Sequence, residues 1–179
     1  MSPLAHLDAW HDVFLMIGGA SGALVGLLFI VVSLHFGKVD VAADTNARAT
    51  MDGARFNTMH LLTVLAEAVA VLTPQPALFL GVELVALNLL GVRAPITFIR
   101  RYAGQRVTIS HEGRFPTTLL ATVIAAYALG AAGGAAILRH AEWGLYLVTA
   151  SCVTMIVRSV LTAWMLIFSL SHARDAEPS

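Results

Sequence analysis

Long apolar segments alternate with short polar segments along the chain, and this pattern predicts an all-α integral membrane bundle. A helix needs about 20 residues to cross the hydrocarbon core of a bilayer, with a range of roughly 17 to 25. Five segments approach or exceed that length, at residues 13–36, 56–73, 77–92, 117–138 and 143–171. The third is short, and the fifth must tilt or extend beyond the lipid. We therefore expect five transmembrane helices in a single membrane domain over residues 1–179.

Pro74 and Pro76 predict a turn between the second and third segments, because each proline lacks a backbone donor and disfavours helical geometry in the residue before it. With five spans, nine of the eleven lysines and arginines fall on one side of the membrane, in the basic loops 37–55 and 93–116 and in the C-terminal tail. Arg139 lies in a connection on the opposite side. The positive-inside rule then predicts an N-terminus outside and a cytoplasmic C-terminus.

Composition supports this interpretation and limits the chemistry. Hydrophobic residues make up 58% of the chain and charged residues 12%, whereas soluble domains carry about 25% charged residues. The formal net charge is zero, so nothing indicates a nucleic-acid partner. Cys152 is the single cysteine and the seven histidines are scattered, so we expect no disulfide, no metal site and no cofactor.

The first segment carries small residues at the spacing that lets two helices approach closely. Gly18, Gly22 and Gly26 repeat every fourth residue, and we call them the glycine stripe. In lipid, such a stripe favours helix association because close backbones gain dispersion contacts. Its partner is either another span of this chain or a neighbouring copy, which predicts a homo-oligomer or a larger membrane complex. Gly130 and Gly134 form a weaker groove of the same kind in the fourth segment.

The fifth segment carries a polar stripe with an arginine near its middle. Its members lie on one side of a helix and are Ser151, Thr154, Arg158, Thr162 and Ser169. A charge at the bilayer centre costs at least about 2.5 kcal/mol unless it is paired or hydrated. Two carboxyl groups occur at similar depth, Glu67 in the second segment and Glu83 in the third. His60 and Asn57 lie on the same side of their helix as Glu67.

Two interpretations of this charged group remain open. In the first, Arg158 forms a buried bridge with Glu67 or Glu83 that fixes the register of the helices. In the second, the polar stripe lines an ion or small-solute pathway, and the arginine and one glutamate set its selectivity. One arginine cannot pair with both glutamates, which leaves the other carboxyl group protonated or paired elsewhere and favours the pathway.

Interfacial residues are predicted at both faces of the membrane. Trp10 suits the headgroup level at the start of the first span. Arg100, Arg101 and Arg106 suit a short surface helix against anionic headgroups, or a basic loop without a specific lipid. Trp10, with the adjacent histidine and aspartate, is an interfacial anchor or, alternatively, part of an outward-facing cation site.

Enzymatic signatures are weak. The segment Gly-Ala-Ser-Gly at residues 19–22 resembles the nucleophile segment of rhomboid intramembrane proteases. That family carries its catalytic histidine in a His-x-x-Gly-x-x-x-Gly setting, which no histidine here has. Ser21 is therefore interpreted as a small groove residue that hydrogen-bonds within its own helix, and no enzymatic activity is predicted.

A broader resemblance covers most of the chain. Trp-His-Asp at 10–12 before a Gly- and Ala-rich span, Val-Ser-Leu at 32–34, Thr-Pro at 73–74, Gly-Val-Glu-Leu at 81–84 and an aromatic-led last span containing Trp164 resemble a family of small uncharacterised bacterial polytopic membrane proteins. The resemblance implies a bacterial cytoplasmic membrane and transfers no site. The expected function is an oligomeric ion or small-solute channel or transporter. The alternative is a non-conducting accessory or regulatory subunit of a larger membrane complex.

Overall fold

The computed structural model describes residues 7–36, 45–102 and 117–175, and these residues are helical except at short turns. The helices, in chain order, are α1 (Leu7–Phe36), α2 (Thr45–Leu72), α3 (Ala77–Gly91), α4 (Arg93–Tyr102), α5 (Thr117–Leu138) and α6 (Gly144–Asp175). The described ranges contain no strand. The predicted all-α class is confirmed.

Five stretches of these helices are long and apolar enough to cross a membrane. They are Trp10–Ser33, Met51–Leu72, Ala77–Thr97, Ala121–Leu138 and Gly144–Trp164. The predicted break between the second and third helices is present, with Pro76 in extended geometry at a ψ of 143° before α3 begins. The third span is longer than the apolar segment 77–92 indicated. Val92 donates to the Asn88 carbonyl and Ile96 to the Val92 carbonyl, so the hydrogen-bonded chain continues from α3 into α4.

Helix α5 packs against both α3 and α6, while α1 packs mainly on α2, and α2 also contacts α3 and α6. Glycines allow the closest of these approaches. A Cβ placed on Gly133 would lie 2.7 Å from the Gly144 carbonyl oxygen, and one placed on Gly81 would lie 2.9 Å from that of Gly134. Real Cβ atoms do not approach other atoms so closely, so these positions require glycine for steric reasons.

The glycine stripe of α1 is packed at one end only. A Cβ on Gly18 would lie 3.2 Å from the Ala68 side chain of α2, whereas one on Gly22 or Gly26 would meet no atom within 4 Å. The tight groove therefore lies on α5, which the sequence indicated as the weaker one, because Gly130, Gly133 and Gly134 face two neighbouring helices. The part of the α1 stripe at Gly22 and Gly26 stays open in the single chain.

Large apolar side chains are exposed on the outside of the bundle, while several polar ones lie inside it. Met16, Phe29 and Tyr146 are 69%, 72% and 65% exposed. The buried polar residues are Ser21, Asn57, His60, Glu67, Asn88, Ser151 and Ser159. A soluble protein shows the opposite distribution, and an apolar exterior of this kind suits contact with lipid.

We expect Gly133→Ala to lower the thermal stability of the purified protein, because the added methyl group overlaps the α6 backbone at Gly144. Overpacking of this kind costs about 1–3 kcal/mol. Gly26→Ala is the matched control, since its methyl group enters open space. Differential scanning fluorimetry in one detergent compares the two variants, and equal melting temperatures would contradict this account of the α5–α6 contact.

Candidate polar site in the bundle interior

The Glu67 carboxyl group in α2 is completely enclosed in the bundle and is 0% exposed. The Asn88 side-chain amide of α3 donates to its Oε1 at 2.6 Å, and the Cys152 thiol of α6 donates to its Oε2 at 3.0 Å. Asn88 also donates to the Leu84 carbonyl at 2.8 Å, which holds the amide in place. One carboxyl group therefore joins three helices through its two oxygens.

A second polar layer lies two turns away along α2. Nδ1 of His60 and the hydroxyl group of Tyr127 on α5 are 2.7 Å apart and share a hydrogen bond. Asn57, one turn further along α2, donates to the Ser159 carbonyl of α6 at 3.1 Å. His60 and Asn57 are 2% and 3% exposed.

These three residues of α2 share one helical face. Asn57, His60 and Glu67 are spaced by three and seven residues, which brings their side chains to the same side of a helix. We call them the α2 polar face. The sequence indicated this alignment, although it assigned the main polar surface to the last span. In the structure α2 directs its polar face inward, toward α3, α5 and α6.

Two glycines of the tightly packed helices leave room for this network. A Cβ on Gly130 of α5 would overlap the Asn88 side-chain amide, and one on Gly91 of α3 would overlap the Tyr127 ring. Each glycine thus faces a side chain that hydrogen-bonds to the α2 polar face. The glycines of α3 and α5 serve both helix packing and the placement of polar groups.

The predicted polar stripe of α6 does not form one continuous lining. Ser151 donates to the Ala126 carbonyl of α5 at 2.7 Å, whereas Thr154 donates to the Ala150 carbonyl of its own helix at 2.7 Å. Thr162 donates in the same way to the Arg158 carbonyl at 3.0 Å. Hydroxyl groups bonded to helix carbonyls need neither water nor a common partner. Ser169 lies outside the residues whose side chains are described.

Arg158 forms no ion pair with Glu67 or Glu83 in the described part of the chain, contrary to the predicted bridge. Glu67 bonds instead to Asn88 and Cys152. Glu83 is exposed and accepts a hydrogen bond from the Gln75 amide at 2.8 Å. Within the described helices α3 and α6 do not pack on each other. Glu83 on α3 therefore does not lie beside Arg158 on α6.

The Arg158 side chain is partly buried, and its Nε and Nη1 atoms are enclosed without a hydrogen-bond partner. Nε2 of His60 and the hydroxyl group of Ser159 are in the same situation. Buried donors without partners are uncommon in native structures and often mark sites for water or ions. These groups lie in the His60 layer, whereas Oδ1 of Asn88 in the Glu67 layer and Oγ1 of Thr149 are also enclosed without a partner.

The predicted interfacial residues differ in their surroundings. Trp10 is packed against Tyr146 of α6, with ring centroids 4.6 Å apart in edge-to-face geometry, so it also joins two helices. Arg100 is exposed on α4. The Arg101 side chain and Arg106 lie outside the described residues. Ser21 donates to the Gly18 carbonyl at 2.9 Å, the bond within its own helix that the sequence indicated.

Asn88, Tyr127 and Cys152 are the site residues that sequence reasoning missed. Asn88 carried a usable signal, because an asparagine in an apolar helix usually hydrogen-bonds to another helix. Tyr127 and Cys152 carried none, since each type also occurs as an ordinary packing residue in apolar segments. The described residues contain no group of three metal-ligating side chains. Carboxyl, imidazole and phenol groups can instead exchange protons.

Comparison with known proteins does not add to this description. No protein-family model matches the chain, and neither the curated proteins nor the solved structures that were compared show a significant match. The resemblance to small bacterial membrane proteins therefore stays a prediction.

We expect Asn88→Leu to destabilise the bundle, because it removes the donor to Oε1 of a carboxyl group that water cannot reach. An unsatisfied buried polar group costs about 1–3 kcal/mol. Combining it with Glu67→Leu recovers part of the loss, because the double variant leaves no orphaned oxygen. Thr154→Val is the control, since its hydroxyl group bonds only to its own helix. Denaturant unfolding in detergent measures the wild type, the two single variants, the double variant and the control, and strictly additive losses would refute the coupling.

Proposed function

We propose that the chain is a multi-pass protein of a bacterial cytoplasmic membrane, with its N-terminus outside and its C-terminus in the cytoplasm. Five long apolar helices and the exposed apolar exterior support membrane embedding. The distribution of lysine and arginine over the connections supports the orientation. The resemblance described above supports the bacterial membrane.

We further propose that the protein is an oligomer that transports protons through the interior of the bundle. The observation that carries this proposal is the Glu67 carboxyl group, completely buried between three helices with hydrogen bonds to an amide and a thiol. In the described residues no lysine or arginine forms an ion pair with it. Ionisable groups inside membrane helices are rare, costly and commonly part of transport pathways.

His60 is a second residue of the α2 polar face that can exchange a proton. His60 can accept or donate a proton at either ring nitrogen, and one of them already bonds to the Tyr127 hydroxyl group. Arg158 adds a fixed positive charge next to Ser159, whose carbonyl group accepts the hydrogen bond from Asn57 of the α2 polar face. Carboxyl and imidazole groups carry a proton by changing their own protonation state, which favours protons over metal ions as the transported species.

The two polar layers are separated in the described conformation. Leu61 and Val64 lie between His60 and Glu67 on α2 and are 1% and 0% exposed. Seven residues of helix span about 10.5 Å, too far for direct proton transfer. Transport through this path therefore requires a conformational change that admits water between the layers, and the described state corresponds to a closed one.

We expect Glu67→Gln to abolish proton flux while the protein stays folded, because glutamine keeps the shape and can still accept from Asn88 but cannot release a proton. Flux is measured in liposomes that contain a pH-sensitive dye and are driven by a potassium gradient with valinomycin. Glu142→Gln, at an exposed position in the α5–α6 turn, is the control. Wild-type flux no faster than that of empty liposomes would refute transport, and unchanged flux in Glu67→Gln would refute the role of this residue.

A second candidate function is that of a non-conducting accessory subunit, and the open part of the glycine stripe favours it. A methyl group added at Gly22 or Gly26 would meet no atom within 4 Å, so another helix can approach α1 closely there. The same surface also suits association between copies of this chain.

We expect Gly22→Leu with Gly26→Leu to weaken association at this surface, because leucine prevents close contact between the helix backbones. Light scattering of the purified protein reports self-association, and quantitative co-purification with an identified membrane complex reports the accessory role. Ala128→Leu, at an exposed position on α5, is the control. Loss of the complex but not of the oligomer would favour the accessory subunit, and no effect on either would exclude the stripe as an interface.

A further inference from the structure

A groove of about 420 Å³ lies on the outer surface between α2 and α3, away from the α2 polar face. Val69, Ala86 and Leu90 contribute to its apolar walls, and Thr73, Gln75 and Glu83 are its polar lining residues. Val69 and Leu90 are 55% and 56% exposed, so the groove opens to the surroundings of the bundle. Its volume lies within the range of roughly 300–1,000 Å³ found for small-molecule sites.

The Glu83 carboxyl group is positioned by the turn between α2 and α3. The Gln75 side-chain amide donates to Oε2 of Glu83 at 2.8 Å and to the Ala70 carbonyl at 2.9 Å. These two bonds tie Gln75 to both walls of the groove. Within the described residues, the other oxygen of Glu83, Oε1, accepts no hydrogen bond and the carboxyl group forms no ion pair.

The depth of Glu83 makes this arrangement unusual for a lipid-facing surface. Glu83 follows the first residue of α3 by six positions, or about 9 Å along the helix axis. An acidic group on the outside of a membrane helix at that depth is costly unless a cation or water compensates it. The Gln75 amide is neutral and leaves the negative charge uncompensated, so a positively charged group is the complementary ligand.

We propose that this groove binds an amphiphilic primary amine, with its ammonium group on Glu83 and its apolar body along the walls formed by α2 and α3. An ammonium group donates to the free carboxylate oxygen in a charge-assisted hydrogen bond. The apolar walls exclude a fully hydrated inorganic cation, because it would lose solvation without replacement. The amine is a soluble amphiphile that reaches the groove through the bilayer, and its binding does not depend on proton movement at Glu67.

The test uses monodansylcadaverine, a fluorescent primary amine with an apolar ring system, and the full chain in phosphatidylcholine nanodiscs. Phosphatidylcholine has no N–H donor to compete for Glu83. We expect saturable binding that Glu83→Gln weakens at least about tenfold, the effect of losing one charge-assisted hydrogen bond. The N-acetylated, uncharged derivative of the probe is expected to bind no better to wild type than to Glu83→Gln.

Two steric variants test binding in the groove without changing the charge of Glu83. Ala86→Leu fills part of the groove at an exposed position and is expected to weaken binding, whereas Ala128→Leu adds the same bulk to an exposed position on α5 and is expected to leave it unchanged. Equal binding by Glu83→Gln and wild type, or equal binding of the charged and acetylated probes, would overturn the proposal. Displacement of the probe by phosphatidylethanolamine would overturn the assignment to a soluble amine and assign the groove to a lipid headgroup.

Discussion

A carboxyl group enclosed in an apolar bundle must find its hydrogen bonds within the protein, and this requirement links most features of the structure. Glu67 meets it with Asn88 of α3 and Cys152 of α6. Because a hydrocarbon environment supplies no alternative partners, the relative rotation and depth of three helices are tied to these two bonds. The interior of the described bundle thus combines an apolar core with a few polar contacts that join its helices, while its exterior is apolar.

Close helix packing and the polar network depend on the same small residues. Gly130 leaves the space that the Asn88 amide occupies, and Gly133 lets α5 approach α6 at Gly144. In a membrane, burial of large apolar side chains contributes little to helix association because lipid is equally apolar. Contacts between backbones at glycine, together with hydrogen bonds between helices, supply the specificity that a soluble protein obtains largely from its hydrophobic core.

The charged groups have separate surroundings, and this separation shapes the functional proposals. Arg158 belongs to the layer of His60 and Ser159, where several donors lack partners within the described helices. Glu67 is central and fully bonded, whereas Glu83 faces an outer groove. A simple ion pair between α6 and its neighbours does not account for this arrangement. The proposed interior path along α2 and the proposed outer site on α3 therefore rest on different charged groups.

The sequence by itself determined the number of long apolar helices, the break at Pro74 and Pro76, and the alignment of Asn57, His60 and Glu67 on one face. These properties are local, because they depend on segment length, backbone chemistry and helical period. Tertiary structure decided that Glu67 meets Asn88 and Cys152, that Arg158 meets neither glutamate, and that the tight glycines lie on α3, α5 and α6. Such contacts depend on how each helix is rotated and shifted against its neighbours, and many residues distant in sequence set that rotation together.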